Sequence, residues 1–314
     1  MACSRLARAA WVTAGIVTIA ACERERPTPA PAPQSAPTNG ASLASDAPRI
    51  ANSVDGVHIE YRVRGRGAPL LVLIHGWSCD SNYWRAQLPA LTPKYTVLTV
   101  DLAGHGASGR NRSDWTIENF GADVTAAVRH YQQSDPNAPQ RIVLIGHSMG
   151  GPVAVAAARQ LGADVLGIIG VDTFSTLGAP PVPAAEIEKF IAPFERDFIG
   201  ATREWVSRSM FTKNADPSFV RQIADDMAQA PPDVAIASMR ALVPVLNHSD
   251  YRDIQVPIVA INADLQGVTD EARARKVAPT FRVVTLPGRG HFLMMEDPAG
   301  FNPVLLQEIA KLTS

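Results

Sequence analysis

Short apolar runs alternate along this chain with longer stretches whose apolar residues recur every three or four positions. Residues 70–74, 142–145 and 165–171 are almost wholly apolar and rich in leucine, valine and isoleucine, which predicts strands buried on both faces. Residues 95–100 and 257–262 read as strands of the same kind, and a last strand precedes residue 287. Residues 57–63 alternate apolar and polar, as a half-exposed strand does, and Asp55-Gly56 is a hairpin turn signal linking them to a first strand at 50–54. Between the runs, 83–91 and 116–132 have helical spacing, and 153–159 is a string of small residues suited to a close-packed helix. The alternation predicts an α/β domain with a mostly parallel sheet flanked by helices. It stops after residue 173. Helical patches at 184–198, 202–211, 217–230 and 233–246 follow one another there with no strand between them. The predicted organisation is a core of 49–173 and 252–314 around a helical insertion, 174–251.

The first residues follow a different pattern. Arg5 and Arg8 precede an apolar stretch, 9–20, that is short for a bilayer span, so 1–21 reads as a secretory signal peptide. The stretch ends in Ile19-Ala20-Ala21-Cys22, which resembles the lipobox of bacterial lipoproteins. That resemblance implies lipidation at Cys22 and a mature chain exported to the cell envelope, held on the periplasmic or outer-membrane side by a lipid anchor. Residues 22–48 are rich in proline and alanine and cannot bury a core, which suits an extended tether. Net charge is −1 and there is no basic patch, so nucleic acid is not an expected partner. Of three cysteines, Cys3 falls in the signal and Cys22 at the anchor. Cys79 would remain as a lone thiol, with no intrachain disulfide to form. There is no CxxC pair and no His-Glu-x-x-His, and neither a metal nor a cofactor is expected.

The chemistry concentrates at Gly146-His147-Ser148-Met149-Gly150, where a buried strand runs through a sharp turn into the helix of small residues. Strand, Gly-x-Ser-x-Gly turn and helix form the context of a nucleophile elbow, with the serine exposed at the sheet edge over a helix N-terminus. Glycine is needed on either side because a side chain there would clash within the turn.

With that turn, three further stretches complete a pattern: His75-Gly76-Trp77 after the third strand, Asp101-x-x-Gly104-His105-Gly106-x-Ser108 after the fourth, and Gly290-His291-Phe292 near the end. In this order the chain resembles the α/β-hydrolase fold superfamily, over roughly residues 50–314. The resemblance implies Ser148 as nucleophile and His291 as its base, with an oxyanion hole made by the main-chain N–H groups of Trp77 and Met149. The third member of the triad is less direct. The family commonly ends its seventh strand with Gly-x-x-Asp, and Gln266 occupies that slot here. Counting back from His291 selects Asp264, the preferred acid. Asp172, at the end of the sixth strand, and Asp270 are its rivals. His75 and His105 are expected to brace loops, and His147 to face away into the sheet.

The resemblance also makes 174–251 a helical cap. Phe190, Phe194, Phe198, Trp205, Met210, Phe211, Met227 and Met239 are candidates to line it, although their spacing is also what packing alone gives. The expectation is a serine hydrolase that cleaves an ester of a small, partly hydrophobic substrate through an acyl-enzyme. Serine at the elbow argues against the aspartate chemistry of haloalkane dehalogenases and epoxide hydrolases. Lactonase, thioesterase, amidase, aminopeptidase and carbon–carbon bond hydrolase share the triad and stay open, as does a ligand receptor on a hydrolase scaffold.

Overall fold

The computed structural model describes residues 46–247 and 249–313. The expected signal, Cys22 and all of the tether except 46–48 lie outside the described residues. The strands are β1 (Arg49–Asn52), β2 (His58–Arg64), β3 (Leu70–Ile74), β4 (Thr96–Val100), β5 (Ile142–His147), β6 (Val165–Val171), β7 (Ile258–Asn262) and β8 (Phe281–Thr285). They form one sheet in the order β1-β2-β4-β3-β5-β6-β7-β8. The pairs from β4 across to β8 are parallel, while β1 with β2 and β2 with β4 are antiparallel. Every residue of β3, β4, β5 and β7 is buried, as strands covered by helices on both faces must be. β2 alternates buried and partly exposed positions, matching its alternating sequence.

In the core, helix α1 (Leu88–Leu91) precedes β4, α2 (Ile117–Ser134) precedes β5 and α3 (Gly150–Leu161) follows it. The single helix expected over 83–91 is instead a 3-10 turn at Ser81–Trp84 and then the short α1, because Pro89 cannot donate a helical hydrogen bond and starts a new helix. Thr116 caps α2 by accepting from the Asn119 N–H. α2 and α3 approach so closely that a Cβ on Gly121 would stand 2.6 Å from the Ala156 Cβ, which accounts for the small residues along α3.

Between β6 and β7 lie α4 (Ala184–Arg196), α5 (Phe198–Ser209), α6 (Pro217–Met227) and α7 (Pro232–Asn247). The short α8 (Glu271–Ala274) and α9 (Leu293–Glu296) and the terminal α10 (Pro298–Thr313) complete the described elements. The helical section is tied to the core by the Trp77 indole donating to the Ala235 carbonyl (2.7 Å) and by the Tyr83 hydroxyl donating to Asp226 (2.6 Å).

Candidate active site

β5 carries the chain into the elbow. Ser148 has φ +51°, in the left-handed region that costs an ordinary side chain energy, and its surroundings hold it there. Its N–H donates to the Val171 carbonyl (3.0 Å), and its own carbonyl accepts from Gly151 (2.9 Å). The flanking glycines are obligatory. A Cβ on Gly146 would sit 2.0 Å from the Gly150 carbonyl oxygen, and one on Gly150 would sit 2.4 Å from that of Ile74. Ser148 is partly exposed while its neighbours on both sides are buried, so the turn lifts this one residue out of the core.

The loops after β3 and β4 are locked to each other. His75 donates from Nδ1 to the Gly76 carbonyl (2.8 Å) and accepts at Nε2 from the Leu102 N–H (3.0 Å). Asp101 accepts from the Ser81 and Ala107 N–H groups, and the Ser108 hydroxyl donates to the Asp101 carbonyl. His105 donates to the Ala103 carbonyl (3.0 Å). These residues brace the loop that carries Trp77. Among the described residues, the main-chain N–H groups of Trp77 and Met149 donate to no protein acceptor. The Trp77 indole, by contrast, is committed to Ala235 and lies edge-on to Phe194, Phe198 and Trp205.

His291 follows β8 on a loop fixed from several sides. Its N–H donates to the Met210 carbonyl (2.7 Å). The Glu296 carboxylate accepts from the N–H groups of Gly290 (3.0 Å) and Phe292 (3.2 Å), and its own burial pushes its pKa up. His147 donates from Nε2 to the His291 carbonyl (3.0 Å), with ring centroids 4.7 Å apart. The expected turning of His147 into the sheet is therefore not found; it lies against the His291 and Phe292 rings. Burial, and then the charge that His291 can carry, hold the His147 pKa well below the usual range. His147 is thus held neutral against the His291 ring.

The carboxylate that meets His291 is Asp172 rather than the expected Asp264. His291 Nδ1 lies 2.6 Å from Asp172 Oδ2, and Asp172 Oδ1 accepts from the Ala263 N–H (2.9 Å). Asp264 does not reach the imidazole. It accepts from the Gly288 N–H (2.8 Å) and caps the loop after β8. Asp270 caps α8 by accepting from Arg273. β6 lies beside β5, the carbonyl of Val171 holds the Ser148 N–H, and Asp172 is the next residue along, whereas β7 is one strand further out. Asp172 has φ +45°, a conformation aspartate tolerates better than most residues. Asn262 fixes that turn: its side chain accepts from the Thr173 N–H (3.1 Å) and donates to the Thr173 carbonyl (2.9 Å) and to Thr269. The sequence hint was a polar residue closing an otherwise apolar strand. For Glu296, five residues beyond His291, there was no local hint.

Ser148, Asp172 and His291 line one cavity of about 230 Å³. No hydrogen bond joins Ser148 to His291 here; such pairs commonly tighten only with substrate bound. Of the cap candidates, Phe190, Trp205, Met210, Met227 and Met239 line the cavity. Phe194 and Phe198 pack on Trp77, and Phe211 stacks on Phe292. Leu242, Val243 and Leu246 of α7 add apolar lining, and Asn247 and Gln266 add polar groups. The Cys79 thiol is buried at the cavity wall, where burial first and the nearby Asp226 charge second push its pKa well up. Among the described residues no cluster of side chains is arranged to hold a metal.

The model of the alpha/beta hydrolase family matches residues 71–304. The pimeloyl-[acyl-carrier protein] methyl ester esterase of Methylococcus capsulatus is 30% identical over 203 residues, covering 63% of this chain and 74% of that one. The 2-(acetamidomethylene)succinate hydrolase of Mesorhizobium japonicum is 23% identical over 82% of this chain and 94% of that one. Among solved structures, an esterase from Thermogutta terrifontis superposes with a TM-score of 0.70 at 21% identity, over 85% of this chain and all (100%) of that one. With the same sheet, the same elbow and a family match across most of the core, this chain belongs to the α/β-hydrolase family.

Proposed function

We propose that this protein is a serine hydrolase that cleaves carboxylic esters through an acyl-enzyme, with Ser148, His291 and Asp172 as its triad. The observation that carries the reading is the shared cavity: a serine held at positive φ in a glycine-flanked turn opens into it beside a histidine whose Nδ1 is engaged by a carboxylate. Because Asp172 accepts at Nδ1, the proton sits there and Nε2 offers a lone pair. That lone pair takes the Ser148 proton as Oγ attacks the ester carbonyl carbon. The Trp77 and Met149 N–H groups receive the charge that develops on the carbonyl oxygen. The carbon–oxygen bond to the alcohol breaks, and the alcohol leaves with the proton from His291. Water then attacks the acyl group, again giving its proton to His291, and the acid departs as Ser148 recovers its hydrogen. The methyl ester esterase relative supports the ester class, and the cavity, smaller than the roughly 300–1,000 Å³ of common ligand sites, supports a small substrate.

The test is hydrolysis of p-nitrophenyl esters together with labelling by a fluorophosphonate. Wild type is expected to turn over and to take one label per chain, and Ser148→Ala to do neither. Folded wild type that ignores every ester and the phosphonate refutes the reading.

For location, we infer that the chain is exported and lipid-anchored through Cys22. The support is the charged start, the short apolar stretch and the small residues before the cysteine. Expressed in a bacterial host, the chain should incorporate labelled fatty acid and fractionate with membranes, and Cys22→Ala should abolish the label. Equal labelling of both refutes the anchor.

A further inference from the structure

The catalytic cavity ends against two aromatic side chains that are also the wall of a second, larger space. A groove of about 810 Å³ runs between α4 and α5 on the helical section, floored by Phe190, Pro193, Phe194, Ala201 and Trp205. Phe190 and Trp205 line both the groove and the inner cavity. The partition is therefore one layer of side chains thick at these two residues. Their rings meet edge to face, with centroids 5.5 Å apart at an interplanar angle of 75°. Both are only partly buried, unlike the neighbouring Phe194 and Phe198. The groove's rim carries both charges, with Glu186, Asp197 and Glu204 beside Lys189, Arg196 and Arg208 around an apolar floor. Pro193 lies inside α4, within one turn of Phe190, and cannot donate the helical hydrogen bond back to Lys189, so the helix is weakest beside the partition.

We infer that Phe190 and Trp205 set the length limit for substrate, and that the groove between α4 and α5 receives the longer apolar arm of an ester once these rings are displaced. The inference rests on the serine-hydrolase reading. At about 230 Å³ the inner cavity has room for a short group at Ser148, and the groove shares the Phe190 and Trp205 wall with it and, at about 810 Å³, is large enough for a chain. The apolar floor suits a hydrocarbon arm, and the mixed-charge rim suits a polar group at its far end.

Two ester series test this. One varies the acyl chain of p-nitrophenyl esters from acetate to decanoate, and the other varies the alcohol chain of acetate esters. Wild type is expected to lose kcat/KM as either arm outgrows the cavity. In Trp205→Ala and Phe190→Ala the profile of one series should turn upward, gaining up to about fourfold per added methylene that reaches apolar surface. The series that responds identifies the arm. Adding Ala201→Trp, which fills the groove on its outer side, should reverse the long-chain gain. Should the alanine variants fail to fold, Trp205→Phe and Phe190→Leu, checked by thermal melts, should still raise the long-to-short ratio about threefold. Flat ratios in folded variants of an active enzyme overturn the inference while the hydrolase reading stands. Wild type inactive on both series overturns the hydrolase reading and this inference with it.

Discussion

Replacing Asp172 with asparagine isolates the role of one carboxylate without disturbing the fold around it. Asparagine is nearly the same size and tolerates the +45° φ that this position requires. Its orientation is forced. The Ala263 N–H points at Oδ1 from 2.9 Å, so the amide oxygen must take that place and the amide NH2 must face His291. The reverse orientation sets two donors against each other. With an NH2 at 2.6 Å from Nδ1, that nitrogen becomes an acceptor, and the imidazole proton moves to Nε2. The atom that should receive the Ser148 proton then already carries one, and no negative charge remains to stabilise the imidazolium. The loss expected for a wrong tautomer of this kind is about 10⁴-fold in kcat, or about 5 kcal/mol of transition-state stabilisation, with KM little changed. Asp264→Asn is the matched control. Its amide oxygen still accepts from Gly288, so kcat should stay within about threefold. The assay is initial-rate hydrolysis of p-nitrophenyl butyrate by wild type and both variants, with thermal melts to show that all are folded. Asp172→Asn within tenfold of wild type, or a thousandfold loss in Asp264→Asn, refutes the assignment of the acid to β6.

Two further predictions concern stability. Asp123 and Arg112 form an almost fully buried pair (2.5 Å), with the Ser53 hydroxyl also donating to Asp123. Asp123→Ala leaves the guanidinium with Asp55 as its one carboxylate beside the Ser53 hydroxyl, and should cost about 3–5 kcal/mol in urea unfolding; a cost below about 1 kcal/mol would show that the pair carries little. The second concerns acid. Burial, and then the charge of His75, lower the His105 pKa to about 3, and burial lowers those of His75 and His147 as well. Each is neutral when folded and protonates near its ordinary value when unfolded, so the unfolded state binds more protons as pH falls below about 6.5. For His105 stability should therefore fall between about pH 6.5 and 3, by up to about 1.4 kcal/mol per pH unit, and His75 and His147 act in the same direction. Unfolding free energies at pH 7 and pH 5 that are equal would refute the buried neutral state.

Local physics made much of this protein readable from its residues. Apolar runs of strand length can lie only in a covered sheet, and their observed places differ from the reading by a few residues at the ends, as where β5 continues through Gly146 and His147. The elbow was readable because its demand is steric and local: two glycines, a serine between them, and a strand and helix on either side. The helices α4 to α7 followed from spacing. What sequence could not settle was which groups converge from different strands. Asp264 and Asp172 are both strand-end acids, and no property of either segment ranks them. The folded side chains do: Asp172, next to the Val171 whose carbonyl holds the Ser148 N–H, meets His291 Nδ1, while Asp264 turns to the Gly288 N–H. The same holds for His147, whose direction is set by the His291 carbonyl, 144 residues on in the chain. It holds too for Phe190 and Trp205, which spacing marks only as apolar and which the packing of α4 against α5 puts between two spaces. Periodicity and turn sterics act over a few residues, so the sequence determines the elements and the setting of Ser148. Register and side-chain convergence act across the sheet, so the carboxylate that meets His291, the orientation of its neighbours and the limits of the cavity belong to the tertiary structure.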